Sequence, residues 1–328
     1  MKNETIDYIN IGLIILAFVI AVFLPFELFL FSYAFLGPLH YLTEINWLDD
    51  KNYFLKSRNQ VYRVFIMIAC SVAAFPFLRY IDNDFIQLLS SKKSIIFFTL
   101  FVFSVGLLFI TKLKQLFVVF LGSIIIGLVC FLLVPKIVIA IGMFLPTLLH
   151  VYVFTLLFMI YGMLKSYSKA GIISVVLLIA VPVVLIFIDI VPSSYKISKF
   201  TEDTFIKSGF LSLNTTVAGL IEEIDKSKIA LTTSVIVKVQ VFIAFAYTYH
   251  YLNWFSKTSI IGWKKSITTT RMKYIIGIWL FSVGIYLYDY GTGLFVLFFL
   301  SLLHVFLEFP LNAVTIREVL KALARVKN

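Results

Sequence analysis

The chain has 328 residues, of which 61% are hydrophobic and only 14% are charged. Soluble globular domains are about half apolar and about a quarter charged, so this composition excludes an ordinary soluble domain and indicates an integral membrane protein. The net charge of +11 does not predict a nucleic-acid partner, because the basic residues are spread over short loops between apolar segments.

Apolar windows of about 17 to 25 residues, the length that crosses a bilayer as a helix, occur about ten times along the chain. They predict an all-α fold, a polytopic helical bundle that forms one transmembrane domain over residues 1–328. The predicted helices are 7–24, 26–47, 60–79, 94–111, 116–134, 137–164, 171–191, 229–255, 272–289 and 293–313.

Most lysines and arginines lie in the loops at 49–59, 112–115, 165–170 and 256–273 and in the tail after 313. Basic loops stay in the cytoplasm, so this distribution predicts that both termini are cytoplasmic. The longest segment between predicted helices, 192–228, is then an extramembrane loop on the outer side. An amphipathic run near its end favours a short interfacial helix.

The chain contains four histidines, and each lies within a predicted membrane helix: His40, His150, His250 and His304. The four helices are the second, sixth, eighth and tenth, which run in the same direction. At a rise of 1.5 Å per residue, all four histidines fall between the inner interface and the midplane. Ionisable groups in hydrocarbon are costly and usually functional, so we expect the four imidazoles to meet at one buried site.

Two of the histidines begin the pattern H-x-x-x-E, with Glu44 four residues after His40 and Glu308 four residues after His304. Residues four apart lie on one face of a helix. A mixed set of imidazoles and carboxylates suits iron, zinc or manganese better than copper(I). We therefore predict that the four histidines, with both glutamates, bind a metal. The glutamates are predicted as ligands or as groups that orient the imidazoles, and as the catalytic carboxylates.

Each histidine taken alone is equally consistent with helix packing through a hydrogen bond across the bundle. Glu308 is also consistent with a structural salt bridge. The set as a whole favours the metal site, because no histidine lies in a loop, all four lie in equivalent halves of parallel helices and two are accompanied by glutamate. Pro38 and Pro146 also loosen the backbone hydrogen bonding just before His40 and His150, and Gly37 permits close approach of a neighbouring helix or ligand.

Aromatic side chains flank the histidines and predict the lining of a site for a long apolar substrate that enters from the bilayer. Any one of them is also consistent with core packing. The predicted lining residues are Tyr41, Tyr152, Tyr247, Tyr251 and Trp254.

Three functions are compatible with these features. The first is a membrane metalloenzyme, an iron-dependent oxygenase acting on a lipid-soluble substrate. The second is an electron-transfer protein in which the histidines bind b-type haem, which a Soret absorption band would reveal. The third is a transporter that uses the buried polar residues as an ion or substrate path.

The histidines at positions 40, 150, 250 and 304 on separate membrane helices, in a chain of this length, resemble the Brp/Blh family of bacterial membrane β-carotene 15,15'-dioxygenases. The resemblance implies a non-haem iron held by histidines, cleavage of a carotenoid with O₂ to retinal, and a place in the bacterial inner membrane. The chain departs from that family in its two H-x-x-x-E units. Membrane desaturases and hydroxylases are less similar, because their histidine boxes need about twice as many histidines.

Overall fold

The computed structural model describes residues 3–55, 60–188, 192, 195–223, 230–258, 262–263 and 267–326. Among them there are helices and connecting segments and no β-strand. The all-α prediction is therefore confirmed for the described part of the chain. Residues 189–191 of the seventh predicted helix, and residues 193–194 and 224–228 of the predicted loop, lie outside the described residues.

Fifteen α-helices are described, and we number them in chain order. The first eight are α1 (Asn3–Phe23), α2 (Pro25–Phe31), α3 (Gly37–Asp50), α4 (Gln60–Ala74), α5 (Asp84–Ser91), α6 (Lys93–Leu107), α7 (Leu113–Leu133) and α8 (Pro135–Phe144). The remaining seven are α9 (Thr155–Ser166), α10 (Lys169–Phe187), α11 (Lys199–Lys207), α12 (Leu211–Ala218), α13 (Ser234–Ser256), α14 (Thr269–Tyr288) and α15 (Tyr290–Val326). Short 3₁₀ segments follow α3 and α4, at Asn52–Phe54 and Phe75–Tyr80.

Each of the ten predicted apolar segments coincides with one or more of these helices. By length and composition, seven helical stretches of the described residues can cross a membrane, or eight if the bent pair α5 and α6 counts as one span. The seven stretches correspond to α1, α4, α7, α8 with α9, α10, α13 and α15. The structure thus supports a membrane protein, whereas ten spans and cytoplasmic termini stay predictions.

Two π-helical turns interrupt the α-helical pattern, and both lie at predicted site residues. Ser32–Leu36 joins α2 to α3 just before His40, and Leu145–Phe154 joins α8 to α9 and contains His150. In the first, the Gly37 N–H donates to the Ser32 carbonyl, five residues back. In the second, Thr147 has non-helical backbone angles directly after Pro146. The expected loosening of the backbone by the two prolines takes the form of these π turns, which are frequent at functional sites.

The Cα positions divide the chain into two compact units. The first contains residues 1–40 and 162–297, and the second contains residues 41–161 and 298–328. The divisions fall inside helices: after His40 in α3, after Tyr161 in α9 and after Leu297 in α15.

In the first unit, α13 is the central helix, because most of its residues are buried on every side. Such a helix needs polar anchors as well as apolar packing, since its polar groups have no water to bind. The Asn10 Oδ1 on α1 accepts hydrogen bonds from the Tyr249 hydroxyl at 3.2 Å and from the Ser256 hydroxyl at 3.1 Å. At the other end of the helix, the Gln240 Nε2 donates to the Pro25 carbonyl at 3.0 Å. These bonds fix the rotation of α13 and thereby the direction of its histidine.

In the second unit, phenylalanine rings hold the helices that carry His150 and His304. Phe97 on α6 lies 5.0 Å from Phe306 on α15, between ring centroids. Phe101, one turn further on α6, lies 5.3 Å from Phe309 and 6.2 Å from Phe154. Helix α6 therefore packs against both histidine-bearing elements of this unit, and such ring pairs stabilise by about 1 kcal/mol each beyond their buried area.

Candidate metal centre

The four histidines are all buried, with exposed fractions of 1% for His40, 2% for His150, 7% for His250 and 4% for His304. Buried imidazoles need partners, since an unsatisfied polar group in an apolar interior costs free energy. The structure arranges them in two pairs.

The first pair lies in the first unit and consists of His40 on α3 and His250 on α13. Their Nε2 atoms are 3.1 Å apart, and their rings are nearly perpendicular at 72°. A hydrogen bond between the Ser32 and Thr248 hydroxyls, 2.7 Å long, ties the π turn before His40 to α13. This contact holds the two ring-bearing helices in register.

Aromatic rings surround the first pair. The Tyr251 ring lies 5.1 Å from His40 and 5.5 Å from His250, and the Trp254 ring lies 5.5 Å from His40. Tyr247, one turn from Tyr251, is 6.2 Å from it. Three predicted lining residues therefore lie at or next to this pair.

Gly37 makes the approach of Tyr251 possible. A Cβ atom at Gly37 would lie 3.3 Å from the Tyr251 hydroxyl oxygen, closer than ordinary van der Waals contact. The predicted close approach at Gly37 is thus present, and its partner is a tyrosine beside the histidines.

The second pair lies in the second unit and consists of His150 in the π turn and His304 on α15. Their Nε2 atoms are again 3.1 Å apart, and the rings are inclined at 77°. Tyr41, another predicted lining residue, lies 5.5 Å from the His304 ring. The fifth, Tyr152, is half-buried on the π turn that carries His150.

Both predicted glutamates are buried in the second unit, each 2% exposed. The Glu308 Oε2 lies 2.8 Å from the His150 Nδ1. The carboxyl group of Glu44 lies close enough to that of Glu308 for the two to interact.

Asn312 is a site residue that the sequence analysis missed. It is fully buried, and its Nδ2 donates to the Glu308 Oε2 at 3.4 Å. It lies four residues after Glu308, so the pattern from His304 continues as H-x-x-x-E-x-x-x-N along one face of α15. That spacing was the signal that could have found it.

Each pair of histidines satisfies a simple geometric condition for a metal site, because its two Nε2 atoms are 3.1 Å apart and can reach one ion. All four imidazoles are buried. The coarse prediction that buried histidines form a possible metal site is therefore confirmed. A single site shared by all four histidines, and its depth in a membrane, stay predictions.

A cavity of about 310 Å³ lies elsewhere, near the start of α13. Its lining includes Lys238, Glu222 and apolar residues of α10 such as Leu185. It contains no predicted site residue, so the apolar entrance expected at the histidines stays a prediction.

Comparisons with protein-family models, with curated proteins and with solved structures give no match for this chain.

Proposed function

We propose that this protein is a membrane-embedded non-haem iron oxygenase that acts on a lipid-soluble, carotenoid-like substrate. The observation that carries the proposal is the pairing of buried histidines, twice, with their Nε2 atoms 3.1 Å apart. The proposed ligands are His40, His150, His250 and His304.

The nitrogen separation suits two ligands of one ion. Two nitrogens 3.1 Å apart can both lie at the usual ligand distance of about 2.1 Å from the same metal. Imidazole ligands are found in non-haem iron sites that bind O₂ and substrate.

The same separation argues against haem within either pair. Axial haem ligands lie on opposite faces of the macrocycle, so their nitrogens are about 4 Å apart with the iron between them. A spacing of 3.1 Å leaves no room for an iron on the line between the two nitrogens.

We assign Glu308 as the group that orients His150. Its carboxylate is at the Nδ1 of His150, whereas the Nε2 of that ring faces His304. A carboxylate at the second ring nitrogen fixes the tautomer and raises the basicity of the ligating nitrogen. Glu44 interacts with Glu308 and adds a second buried carboxyl group to the proposed site.

Iron is the metal that best matches imidazole nitrogen with nearby carboxylate oxygen in a site that must bind O₂; zinc and manganese are the other ions that this donor set accepts. When bound, iron would supply the activation of O₂. The chain's own residues would hold it, exclude water and position the substrate against Tyr41, Tyr251 and Trp254, which adjoin the histidine rings. In the proposed reaction the central C=C bond breaks, each carbon gains one oxygen atom of O₂, and two aldehydes form.

The test uses detergent-purified protein loaded anaerobically with Fe(II) and then given β-carotene and O₂. We expect iron-dependent O₂ uptake and aldehyde products, with one O₂ consumed for two aldehydes. The His304→Ala variant, with folding confirmed by thermal unfolding, should show neither. A Soret band in the protein as isolated, or iron-loaded protein that consumes no O₂ with polyene or fatty-acyl substrates, would contradict the proposal.

A further inference from the structure

Two of the chain's four tryptophans form a stack that ends at the histidine His40. The Trp254 ring lies edge-on to His40 at 5.5 Å, and the Trp263 ring lies parallel to Trp254 at 6.1 Å, with an interplanar angle of 6°. Both indoles are nearly buried, at 7% and 8% exposure. The three rings make one continuous aromatic contact path within the first unit.

The chain builds this stack through a specific turn. Helix α13 ends at Ser256, and the Gly262 N–H donates to the Thr258 carbonyl at 3.0 Å. Gly262 has a φ of +76°, a backbone conformation that favours glycine. This turn directs the next residue, Trp263, back against Trp254, and the Trp263 Nε1 donates to the Trp254 carbonyl at 3.5 Å.

Packing alone does not require two parallel indoles in series, since aromatic pairs in proteins occur in edge-on as well as offset-stacked arrangements. The Trp263 end of the stack belongs to the basic loop 256–273, whereas the other end is an imidazole of the proposed metal site. Indole is, with phenol, the side chain that loses and regains one electron most readily. The stack thus joins a histidine of the proposed metal site to a connecting loop.

We infer that Trp263 and Trp254 form an electron-entry path to the metal held by His40. The inference rests on the proposed function, because it needs a redox-active metal. In each transfer one electron leaves a water-soluble one-electron donor and reduces the oxidised metal, and the contacting rings of Trp263, Trp254 and His40 mediate its passage. One donor molecule is oxidised for each metal ion reduced. No covalent bond forms or breaks. The indole proton of Trp263 stays on Nε1, which donates to the Trp254 carbonyl.

The experiment measures the rate at which ferrocyanide or reduced viologen re-reduces the ferric protein in a stopped-flow instrument. The variants are Trp254→Phe and Trp263→Phe, which keep an aromatic ring but remove the oxidisable indole. The matched control is Trp279→Phe. Trp279 contacts Phe35 and donates a hydrogen bond to its carbonyl, so it lies outside the contact path from Trp263 through Trp254 to His40. Iron content per chain is measured for every variant first.

We expect re-reduction to slow by about tenfold or more in both path variants, equivalent to about 1.4 kcal/mol on the barrier, and to be unchanged in the control. Trp263→Tyr should recover part of the rate, since phenol is oxidisable, and a purely structural role would not predict that recovery. If a phenylalanine variant does not fold, incorporation of fluorinated tryptophan, which is harder to oxidise and nearly isosteric, should slow the reaction instead.

The outcomes separate the two proposals. Iron-loaded variants that are re-reduced at the wild-type rate would overturn the electron path and leave the oxygenase proposal intact. A wild-type chain that holds no redox-active metal would overturn both.

Discussion

The two histidine pairs have the same nitrogen separation but different surroundings. His40 and His250 meet among aromatic rings, with Tyr251 and Trp254 in contact with the pair. His150 and His304 meet beside a carboxylate, with Glu308 at the second nitrogen of His150. The difference predicts different roles for the two pairs under the proposed function. Beside the second pair, the Glu308 carboxylate would compensate the charge of a cation. Around the first pair, the aromatic rings would offer a surface to an apolar substrate and to electrons.

The largest expected effect is the loss of a histidine from either pair. His250→Ala and His304→Ala each remove one proposed ligand, so we expect metal affinity to fall by more than about 100-fold in both. This loss exceeds the effect of removing a group that only hydrogen-bonds to a ligand. Metal titration of the purified variants measures this. Retention of wild-type affinity by one variant alone would show that only the other pair binds the metal.

Replacement of the Glu308 carboxylate should produce the next largest effect. Glu308→Gln keeps the shape but removes the charge at His150, so metal affinity should fall by about 10- to 100-fold. The control is Glu318→Gln on the same helix, where Glu318 is partly exposed and contacts Arg317 and Lys321. Equal affinity in the two variants would make Glu308 a structural residue.

Acidification should weaken the metal centre, because protons compete with the metal for the imidazole nitrogens. Metal affinity is expected to fall as the pH is lowered, by a factor of about ten per pH unit for each proton that binding releases. The measurement is a metal titration at several pH values with unfolding followed in parallel. A pH-independent affinity for the folded protein would contradict ligation by histidines.

The smallest predicted effect concerns the aromatic surroundings of the His40–His250 pair alone. Gly37→Ala places a methyl group 3.3 Å from the Tyr251 hydroxyl, so the free energy of unfolding should fall by about 1 kcal/mol. Metal affinity should change less than in Glu308→Gln. The control is Gly277→Ala in α14, where a Cβ meets nothing within 4 Å, and which should stabilise slightly. Identical free energies of unfolding in the two variants would show that the Tyr251 side chain moves aside without destabilising the protein.

The helices were predictable because each apolar window is long and contains few charges, and the histidines were conspicuous because they occur only within such windows. The prolines at 38 and 146 indicated where the backbone would be irregular. What the spacing could not supply was the partner of each side chain. Glu308 is four residues from His304, but its carboxylate contacts His150 from another helix. Local periodicity fixes the face of a helix, not the neighbour that packs against that face.

The same limit explains why Trp263 was missed. It lies in a basic connecting loop, where sequence reasoning expects solvent-exposed residues, yet it is 8% exposed. Its burial depends on the left-handed backbone conformation of Gly262 and on its stacking against Trp254 in the last turn of α13. A single glycine in a loop is too common a feature to predict such a contact.

The central claim is that the buried histidines hold a redox-active transition metal. Elemental analysis of the detergent-purified wild-type protein, expressed with iron available, tests it most directly. We expect at least one iron atom per chain, lost on His304→Ala and retained on Glu318→Gln. A sub-stoichiometric content of every transition metal in the folded wild-type protein would contradict the account.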